Sequence, residues 1–354
     1  MWQGIHGHDA VAERFRHSLA CGRMAASYLF LGPEGIGKRT FAIRLAQALV
    51  CQSSAGGQLE PCGQCDSCQL MLAGNHPDVD VVGLPKGKRW LPVDLFLGDR
   101  EHRNQEGLCH NLSLRPQMGR RRVAIIDDAD FLTVESANCL LKTLEEPPAG
   151  AVMILIGTSR GRQLPTILSR TQTVRFAPLS VDSVRHLVLQ QQIAKDEHQA
   201  EQLAQAGEGS LTKAAELVDP QLWEMQQTLL PQLTPTRFDS VRLAGELTTF
   251  VSQAGKEAEP RRQRIRRLIR IFASHFRQLL RAACSPDGAN EAQFGECQSL
   301  GSAAQDLALD ALDRCLEAET QLDRNANQAT LIECWLDDLA TLFSRHAPTA
   351  KTAR

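Results

Sequence analysis

The sequence predicts an α/β fold with a parallel sheet, followed by a C-terminal region made only of helices. Three observations carry this prediction. A glycine-rich loop, residues 32–40, joins a short apolar run to a helical stretch. Apolar runs then alternate with helical stretches up to about residue 178, which is typical of parallel strands with helices on both faces. From about residue 221 onward, only helical periodicity is present.

The first predicted elements surround the glycine-rich loop. Residues 9–20 carry apolar side chains four positions apart, which predicts a helix. Residues 28–31 form an apolar run that ends at the loop, as a buried strand would. Phe41, Leu45 and Leu49 repeat at the helical spacing, so they mark a helix that the loop opens.

Four further apolar runs are predicted strands. They are residues 79–82, 123–126, 152–156 and 174–176. Residues 134–146 have a helical pattern, which Pro147 and Pro148 end because proline lacks a backbone donor and clashes with the preceding turn. Residues 84–122 are polar and basic without a clear period, and they receive no assignment.

The second half of the chain is predicted to be helical. Residues 180–218 read as short helices that Gly207 and Gly209 interrupt. Beyond them, three amphipathic helices are marked by apolar side chains. These are Ile265, Leu268, Ile269, Phe272, Phe276, Leu279 and Leu280 in the first, Leu307, Leu309, Leu312 and Leu316 in the second, and Leu331, Trp335, Leu336, Leu339 and Leu342 in the third.

Composition and charge narrow the class of protein. The 354 residues suffice for two or three domains, and the net charge of −2 gives no global reason to bind nucleic acid. No run reaches the roughly 18 apolar residues of a membrane span, and residues 1–16 carry no signal-peptide pattern. Eleven cysteines in such a chain suit a reducing compartment. We therefore expect a cytoplasmic protein without a membrane partner.

Residues 32–40 read Gly-Pro-Glu-Gly-Ile-Gly-Lys-Arg-Thr, a phosphate-binding loop. Glycines let backbone N–H groups approach phosphates, and Lys38 would reach the β- and γ-phosphates. The usual Mg²⁺-binding hydroxyl is replaced by Arg39, and Thr40 comes one residue late, a rotation of about 100° on a helix. The loop is thus intact as a cradle and weakened as a Mg²⁺ site, and a purely structural role stays open. The candidate nucleotide-binding residues are Gly32, Gly35, Gly37, Lys38 and Thr40.

Asp127 and Asp128 end the predicted strand at 123–126. Asp127 fits the carboxylate that holds Mg²⁺ through water, and it joins the candidate nucleotide-binding residues. The next position usually carries a glutamate that activates the attacking water. Asp128 is one methylene shorter, and catalytic positioning tolerates little displacement. A simpler alternative is that Asp128 caps the turn that follows.

Four cysteines follow the loop and its helix at the spacing C-x10-C-x2-C-x2-C. They are Cys51, Cys62, Cys65 and Cys68. Thiolates this close together in a chain without a secretory signal suit one tetrahedral Zn²⁺. Four protein ligands leave no open position, so we expect a structural zinc module at residues 51–68. His76 is a weaker fifth candidate, more typical of a loop histidine.

Arginines occur at three places where they could contact a phosphate group or DNA. Arg170, after a short helix from Gln163, is either a surface charge or a group that reaches a phosphate in a neighbouring subunit. The spacing alone leaves both open. Residues 120–122 and 261–270 are basic clusters. A solvated or acid-paired face is their simpler explanation, and a DNA contact is the alternative.

These motifs resemble, in their order along the chain, those of the AAA+ clamp-loader subunits of bacterial DNA polymerase III. The resemblance covers about residues 4–178. It rests on the loop at 32–40, the cysteine spacing, Val123–Asp127, the string Asn-x-Leu-Leu-Lys-Thr-Leu-Glu-Glu-Pro-Pro at 138–148, and Leu-Pro-x-Ile-Leu-Ser-Arg at 164–170. Residues 221–354 match only in helical character.

The resemblance implies three domains joined in a circular hetero-pentamer. An AAA+ domain would span residues 1–178, a helical lid 179–220, and a helical oligomerisation collar 221–354. In such assemblies gamma/tau subunits hydrolyse ATP and delta opens the ring clamp. Delta-prime is a rigid stator, whose Ser-Arg-Cys motif supplies an arginine finger to the neighbouring ATP site.

Three residues acquire roles through this resemblance. The arginine-finger motif reads Ser-Arg-Thr here, which implies that Arg170 is a catalytic group acting in trans. Thr158 matches the polar sensor position and is a candidate nucleotide-binding residue. Lys213 falls near the sensor position of the lid, where the ATPases usually carry arginine.

Arg39 and Asp128 favour one subunit type. Both residues weaken ATP hydrolysis by this chain and leave Arg170 free to act on a neighbouring subunit, as expected of a delta-prime-like stator. Such a subunit would bind structural Zn²⁺ and would bind ATP and Mg²⁺ only weakly. The implied partners are gamma/tau and delta, with the sliding clamp and primed DNA reached through the complex. The alternatives are an ATP-hydrolysing gamma/tau-like subunit and, more remotely, a P-loop kinase of small metabolites, which would not explain the cysteine module.

Overall fold

A five-stranded parallel sheet lies in the first of two units into which the chain divides, Met1–Asp219 and Pro220–Arg354. The additional boundary expected after residue 178 lies within the first unit and stays a prediction. The computed structural model describes residues 2–53, 59–103, 105–118, 120–284 and 302–346.

The strands are β1 (Ser27–Leu31), β2 (Val79–Val82), β3 (Arg122–Ile126), β4 (Ala151–Gly157) and β5 (Gln172–Arg175). They lie in the order β2-β3-β4-β1-β5, and each neighbouring pair is parallel. The predicted parallel sheet is therefore confirmed. β5 begins two residues earlier than its apolar run, because an edge strand can pair polar residues such as Gln172 with β1 while their side chains stay exposed.

The described α-helices of the first unit include the predicted helices and others that were not predicted. They are α1 (Asp9–Ala20), α2 (Lys38–Val50), α3 (Asp66–Leu72), α4 (Asp94–Leu97), α5 (Leu108–Ser113), α6 (Val134–Glu145), α7 (Pro165–Leu168), α8 (Val181–Gln190), α9 (Glu197–Ala206) and α10 (Leu211–Glu216). The helices predicted at 9–20 and 134–146 are confirmed. The unassigned segment 84–122 contains α4 and α5, which are too short to show a period.

Helices cover both faces of the sheet because alternate side chains of a strand point to opposite sides. Leu29 and Leu31 face a core that includes apolar side chains of α4, α5 and α6. On the other face, the ring of Phe30 lies 5.8 Å from Phe15 of α1 and 5.9 Å from Phe41 of α2. The packing of Phe30 and Phe41 fixes the end of β1 and the first turn of α2, between which the glycine-rich loop runs.

The helices α8, α9 and α10 confirm the short helices expected in residues 180–218. Each begins at a polar residue whose side chain accepts a hydrogen bond from a backbone N–H of the first turn, the usual way to satisfy donors that lack a helical partner. These residues are Ser180, Asp196 and Ser210. The backbone N–H of Leu179 also donates to the carbonyl oxygen of Gly209 at 3.0 Å, which joins the start and end of this segment.

The described part of the second unit is helical, as predicted. Its helices are α11 (Pro220–Leu229), α12 (Ser240–Ser252), α13 (Ala258–Cys284), α14 (Ser302–Asp323) and α15 (Gln328–His346). Phe272 and Trp335 meet in the core at 4.7 Å. Leu309 and Leu316 are exposed, although both were placed on an apolar face, because each lies roughly 180–200° around the helix from buried Leu307. Among the described residues, none of the helices combines the length and apolar character that crossing a bilayer requires.

Candidate functional site

The glycine-rich loop connects the end of β1 to the first residue of α2, Lys38. Gly35 and Gly37 have φ angles of 74° and 95°. Both values lie in the left-handed region, which glycine enters without the steric cost of a Cβ atom. At Gly32, a Cβ would collide with the carbonyl oxygen of Phe176. The three glycines thus produce the tight backbone turn that a phosphate cradle needs.

The ammonium group of Lys38 lies over its own loop. Its Nζ donates hydrogen bonds to the carbonyl oxygens of Gly32 and Pro33 at 2.7 and 2.5 Å. The side chain is buried, and this burial lowers the pKa of Lys38, while the negative charges of Asp130 and Asp127 oppose the shift. A phosphate at this loop would therefore compete with two carbonyl oxygens for the lysine.

Arg39 extends from the first turn of α2 to the carboxylate that follows β3. Its Nε lies 3.2 Å from Oδ2 of Asp127. Burial raises the pKa of Asp127, as does the charge of Asp128, and the charges of Arg39 and Lys38 lower it. Thr40 is exposed at the next position of α2. The carboxylate predicted to face Mg²⁺ is thus paired with a guanidinium, which partly neutralises the charge that a metal ion would require.

Asp128 is a turn residue whose carboxylate already has a partner. Its φ of 57° is left-handed, a conformation that aspartate adopts more readily than most residues. Its Oδ2 accepts a hydrogen bond from the backbone N–H of Leu84, after β2, at 3.2 Å. The predicted alternative of a cap on the following turn is wrong in detail, because that turn has no side-chain cap. The carboxylate instead ties together two loops at this edge of the sheet.

Asp130 is the polar residue at this edge that the sequence analysis missed. Its carboxylate accepts hydrogen bonds from the backbone N–H of Thr158 at 2.9 Å and from its hydroxyl at 2.6 Å. The side-chain amide of Gln163 donates to the same carboxylate. Thr158, the predicted sensor, is therefore held in place just after β4. The available signal was that Asp130 is the third acidic residue in the run Asp-Asp-Ala-Asp after β3.

The start of α10 packs directly on the glycine-rich loop. The backbone N–H of Leu211 donates to the carbonyl oxygen of Gly35 at 2.9 Å, and a Cβ at Gly35 would lie 2.6 Å from Cβ of Thr212. Lys213 points elsewhere, because its Nζ pairs with Glu208 at 2.9 Å. One position on a helix is a rotation of about 100°, which separates these two side chains. The side chain of α10 that faces Gly35 is thus that of the neutral Thr212.

The four cysteines converge, although they come from different local structures. Cys51 directly follows α2, Cys65 precedes α3, and Cys68 lies within α3. All four Sγ atoms, including that of Cys62, lie within 4.8 Å of one another. The Cys51–Cys65 and Cys62–Cys68 sulfur distances are both 3.9 Å. A tetrahedral Zn²⁺ with Zn–S bonds of about 2.3 Å holds its sulfurs about 3.8 Å apart, so the cluster fits one zinc ion.

Backbone donors support the cysteine cluster. The N–H of Cys62 points to Sγ of Cys51 at 3.4 Å, and the N–H of Cys65 points to Sγ of Cys62 at 3.3 Å. Hydrogen bonds from the backbone of Cys65 and Gln64 lower the pKa of Cys62 to about 6, and burial raises the pKa of Cys68 to about 12. Because zinc binds thiolates, the N–H groups favour the form that a metal would need.

His76 forms hydrogen bonds next to the cysteine cluster. Its Nδ1 accepts a hydrogen bond from the backbone N–H of Asp78 at 3.0 Å. Its Nε2 lies 2.7 Å from Oγ of Ser67, which donates to the carbonyl oxygen of Val50 at 2.8 Å. An accepting Nδ1 places the proton on Nε2, so the hydroxyl oxygen of Ser67 accepts a hydrogen bond from Nε2–H. Ser67 therefore joins α3 to the end of α2, and His76, whose two ring nitrogens are both hydrogen-bonded elsewhere, is not a fifth ligand of the cysteine cluster.

Arg170 lies at the opposite edge of the sheet from the glycine-rich loop. The strands are parallel, so a residue that precedes β5 lies where strands begin, and the loop after β1 lies where they end. Leu31, at the end of β1, is in register with Arg175, five residues beyond Arg170. At about 3.3 Å per residue this separation is roughly 16 Å. Arg170 is therefore remote from the loop of its own chain.

An exposed carboxylate holds the guanidinium of Arg170. Its Nε donates to Glu145, the last residue of α6, at 2.6 Å, and another nitrogen donates to the carbonyl oxygen of Thr166 at 3.1 Å. The side chains of Arg170 and Glu145 are 31% and 51% exposed. An ion pair of this exposure contributes only about 0–1 kcal/mol. Arg170 is thus oriented at the surface by Glu145, Thr166 and Ser169.

The two basic clusters contain arginines paired with acids. Arg122 is buried, and one of its nitrogens lies 3.8 Å from the carboxylate of Asp78. On α13, Arg266 pairs with Asp323 at 2.7 Å. These contacts favour the acid-paired explanation for both residues over a DNA contact.

Comparisons with known proteins agree with the motifs. Residues 7–180 match the family model described as DNA polymerase III, delta subunit. The chain is 34% identical over 220 residues to the tau subunit of DNA polymerase III from Escherichia coli strain K12, covering 61% of this chain and 32% of that protein. It is 39% identical over 146 residues to the delta' subunit from Pseudomonas aeruginosa, covering 41% of each chain. The matched part thus spans about a third to two fifths of these relatives.

A solved structure also resembles the chain along most of its length. It is the gamma subunit-related protein of DNA polymerase III from Thermotoga maritima, with a TM-score of 0.38, 16% sequence identity, and coverage of 94% of this chain and 99% of that one. The family assignment rests on the sequence matches to the delta-subunit model and to the tau and delta' relatives. On these matches, residues 7–180 of the chain belong to the AAA+ clamp-loader family of DNA polymerase III subunits.

Proposed function

We propose that this chain is a delta-prime-like stator of a DNA polymerase III clamp loader, which supports ATP-driven loading of the sliding clamp onto primed DNA without hydrolysing ATP itself. The contact of Arg39 with Asp127 carries the proposal. Phosphoryl transfer needs Mg²⁺ to bridge phosphate oxygens and neutralise their charge. Here the hydroxyl ligand is replaced, and the replacing side chain pairs with the carboxylate that would hold the metal.

Three further contacts support the absence of hydrolysis. The carboxylate of Asp128 is short and accepts a hydrogen bond from Leu84, so it is poorly placed to activate a water molecule. The start of α10 presents Thr212 to the loop, and Lys213 is paired with Glu208. The lid side chain that faces Gly35 is therefore neutral, and the nearby cation Lys213 is engaged by an acid. Nucleotide could still bind through Lys38 and the backbone N–H groups of the loop, with weakened use of Mg²⁺.

Arg170 would act on a nucleotide held by the adjacent subunit. Its distance from the loop of its own chain favours a role in trans, and its exposed pair with Glu145 keeps it oriented and available. The planar guanidinium can form two hydrogen bonds with phosphate oxygens as negative charge spreads over them. The expected partners are gamma/tau and delta subunits in a five-membered ring in the cytoplasm, assembled through the helical region 221–354.

One zinc ion would be held by Cys51, Cys62, Cys65 and Cys68. When bound, zinc would supply a structural cross-link and no step of the reaction, because four thiolates leave no open ligand position. The cluster lies at the end of α2, the helix that begins at the glycine-rich loop. Zinc would thus fix the 51–68 module onto the AAA+ domain.

A gamma/tau-like ATPase is the second candidate. It is favoured by the intact glycines and Lys38, and by the alignment with the E. coli tau subunit over 220 residues. Steady ATP turnover by the isolated chain at about 1 s⁻¹ or more would support this candidate and contradict the stator. The stator proposal itself is tested by reconstitution with gamma/tau and delta, followed by clamp-loading measurements with and without this chain.

A further inference from the structure

The loop between β2 and α4 presents an aromatic ring among three cations. Trp90 is 56% exposed, the largest side chain among the exposed hydrophobic residues of the described chain. Lys86, Lys88 and Arg89 precede it and are also exposed. We call residues 85–90 the Lys-Trp loop. Single exposed hydrophobic residues are common, so the feature to explain is the combination of ring and charge.

The Lys-Trp loop is held in one conformation. The backbone N–H of Lys88 donates to the carbonyl oxygen of Pro85 at 3.0 Å, and Gly87 between them has a φ of 77°. These values describe a hydrogen-bonded turn with glycine at its third position, as a type II turn requires. The tip therefore projects its lysines from a fixed backbone.

Both ends of the loop are anchored to the segment that follows β3. Before the loop, the N–H of Leu84 donates to Asp128 at 3.2 Å. After it, fully buried Leu91 donates its N–H to the carbonyl oxygen of Phe131 at 3.0 Å. The buried Leu91 next to the exposed Trp90 shows that the chain places the smaller side chain in the core and the larger one outside. This anchoring reduces the ordering cost of binding through the loop.

The charge of the loop contrasts with the rest of the chain. Residues 84–93 carry three cations and no acid, with Asp94 the next acidic residue, in a protein with a net charge of −2. Within the described residues, Lys86 and Lys88 form no ion pair, whereas Arg266 of the larger basic cluster is paired with an acid. The lysines of the loop therefore retain charge for a partner.

We propose that the Lys-Trp loop binds single-stranded DNA, with a base stacked on Trp90 and the neighbouring phosphates on Lys86 and Lys88. Base–aromatic stacking together with backbone cations is the general chemistry of single-strand binding. Duplex DNA fits less well, because the faces of its bases are covered by neighbouring bases and a single exposed ring cannot reach them. This contact is independent of ATP and of Arg170.

The test uses the full chain, oligothymidylate, and tryptophan fluorescence. Of the four tryptophans, Trp2 and Trp335 are buried and Trp223 is half-buried, so stacking on Trp90 should dominate the quenching. Trp90→Ala should weaken binding by about 5- to 140-fold. Trp90→Phe should preserve most of the binding, measured by anisotropy of labelled oligothymidylate, and lose most of the quenching.

The phosphate contacts have their own readout. Lys86→Ala with Lys88→Ala should reduce the slope of log affinity against log salt by about 1.4, because each single-strand phosphate contact contributes about 0.7. The charge-matched control is Lys195→Ala with Lys256→Ala, two exposed lysines elsewhere, which should bind like the unmodified chain. Unchanged affinity of Trp90→Ala, no binding of oligothymidylate at low salt, or equally tight binding of a duplex would overturn the proposal.

Discussion

The two edges of the parallel sheet carry polar sites in opposite states. Where the strands end, Lys38, Arg39 and Asp128 are each engaged by other groups of the chain. Where the strands begin, Arg170 donates hydrogen bonds at the surface to Glu145, Thr166 and Ser169. The acid paired with Arg39 is the one that would hold a metal ion, so this pair weakens the loop as a Mg²⁺ site, whereas the acid paired with Arg170 lies away from the loop. The comparison therefore separates a nucleotide site with weakened Mg²⁺ binding in this chain from an arginine proposed to act on a neighbouring subunit.

The largest effect is expected at the edge where the strands begin. In a reconstituted clamp loader, Arg170→Ala should leave assembly intact and lower DNA- and clamp-stimulated ATP hydrolysis. An arginine finger contributes about 10³–10⁵ in rate at its own site, and the remaining ATP sites of the ring will dilute that loss in the total. ATP turnover and clamp loading, measured on the purified complex, check this.

Two variants accompany that measurement. Arg170→Lys should rescue poorly, because an ammonium group cannot reproduce the planar fork of the guanidinium. Arg160→Ala, which removes an exposed arginine just after β4, at the opposite edge of the sheet from Arg170, should have no effect. If Arg170→Ala hydrolyses and loads at the unmodified rate, Arg170 is a surface charge and the comparison between the edges fails.

Loss of zinc should destabilise the fold at the C-terminal end of α2 and leave the position of Arg170 unchanged. Cys68→Ser should reduce bound zinc from about one per chain to nearly none, because structural zinc sites need all four ligands. The melting temperature should fall by about 2–4 °C for each kcal/mol lost. Metal analysis and thermal unfolding test this, with exposed Cys21→Ser as the matched control. Zinc retained by Cys68→Ser, or absent from the unmodified chain, would contradict the assignment.

Restoring Mg²⁺-binding side chains where the strands end should sharpen the comparison between the two edges. Arg39→Thr with Asp128→Glu restores a hydroxyl ligand and a longer carboxylate, and it removes the ion pair on Asp127. One charged contact is worth about 1.5–3 kcal/mol, so ATP should bind about tenfold or more tightly in Mg²⁺ than in EDTA. Titration calorimetry checks this, and adding Lys38→Ala should abolish the gain. Binding that stays insensitive to Mg²⁺ would show that Arg39 is not what limits the site.

The smallest effect is expected from the partner of Arg170. Glu145→Gln removes the charge that holds the guanidinium but keeps a side chain of similar size. Unfolding free energy should change by less than about 1 kcal/mol, as for other exposed pairs. Hydrolysis by the complex should stay the same or rise by no more than about fivefold. A loss approaching that of Arg170→Ala would mean that Glu145 positions the arginine for catalysis.

The sequence predicted the parts of the fold whose signal is local. Strands β1, β3 and β4 are buried along their whole length, so they appear as apolar runs, interrupted only by the polar first residues Ser27 of β1 and Arg122 of β3. The cysteine spacing likewise predicted a cluster, because ligands so close in sequence can converge without help from the rest of the fold. Helices α4 and α5 were not predicted, since a few residues cannot show a period of 3.6.

The parts that escaped prediction depend on tertiary contacts. Nothing local shows that Asp130 would hold Thr158, because the two residues meet only when β3 and β4 lie side by side. The choice between Thr212 and Lys213 turns on a single helical position, which spacing to a distant loop cannot resolve. The pairing of Arg39 with Asp127 was also not predicted, although both residues were identified as functionally important.

The most direct test compares Lys38→Ala and Arg170→Ala in the same reconstituted clamp loader. Each removes one cation, at opposite edges of the sheet. The account predicts that Arg170→Ala lowers DNA-stimulated ATP hydrolysis of the complex, whereas Lys38→Ala leaves it within about twofold, because this chain does not turn over ATP at its own loop. A large loss with Lys38→Ala and none with Arg170→Ala would contradict it and identify the chain as a hydrolysing subunit.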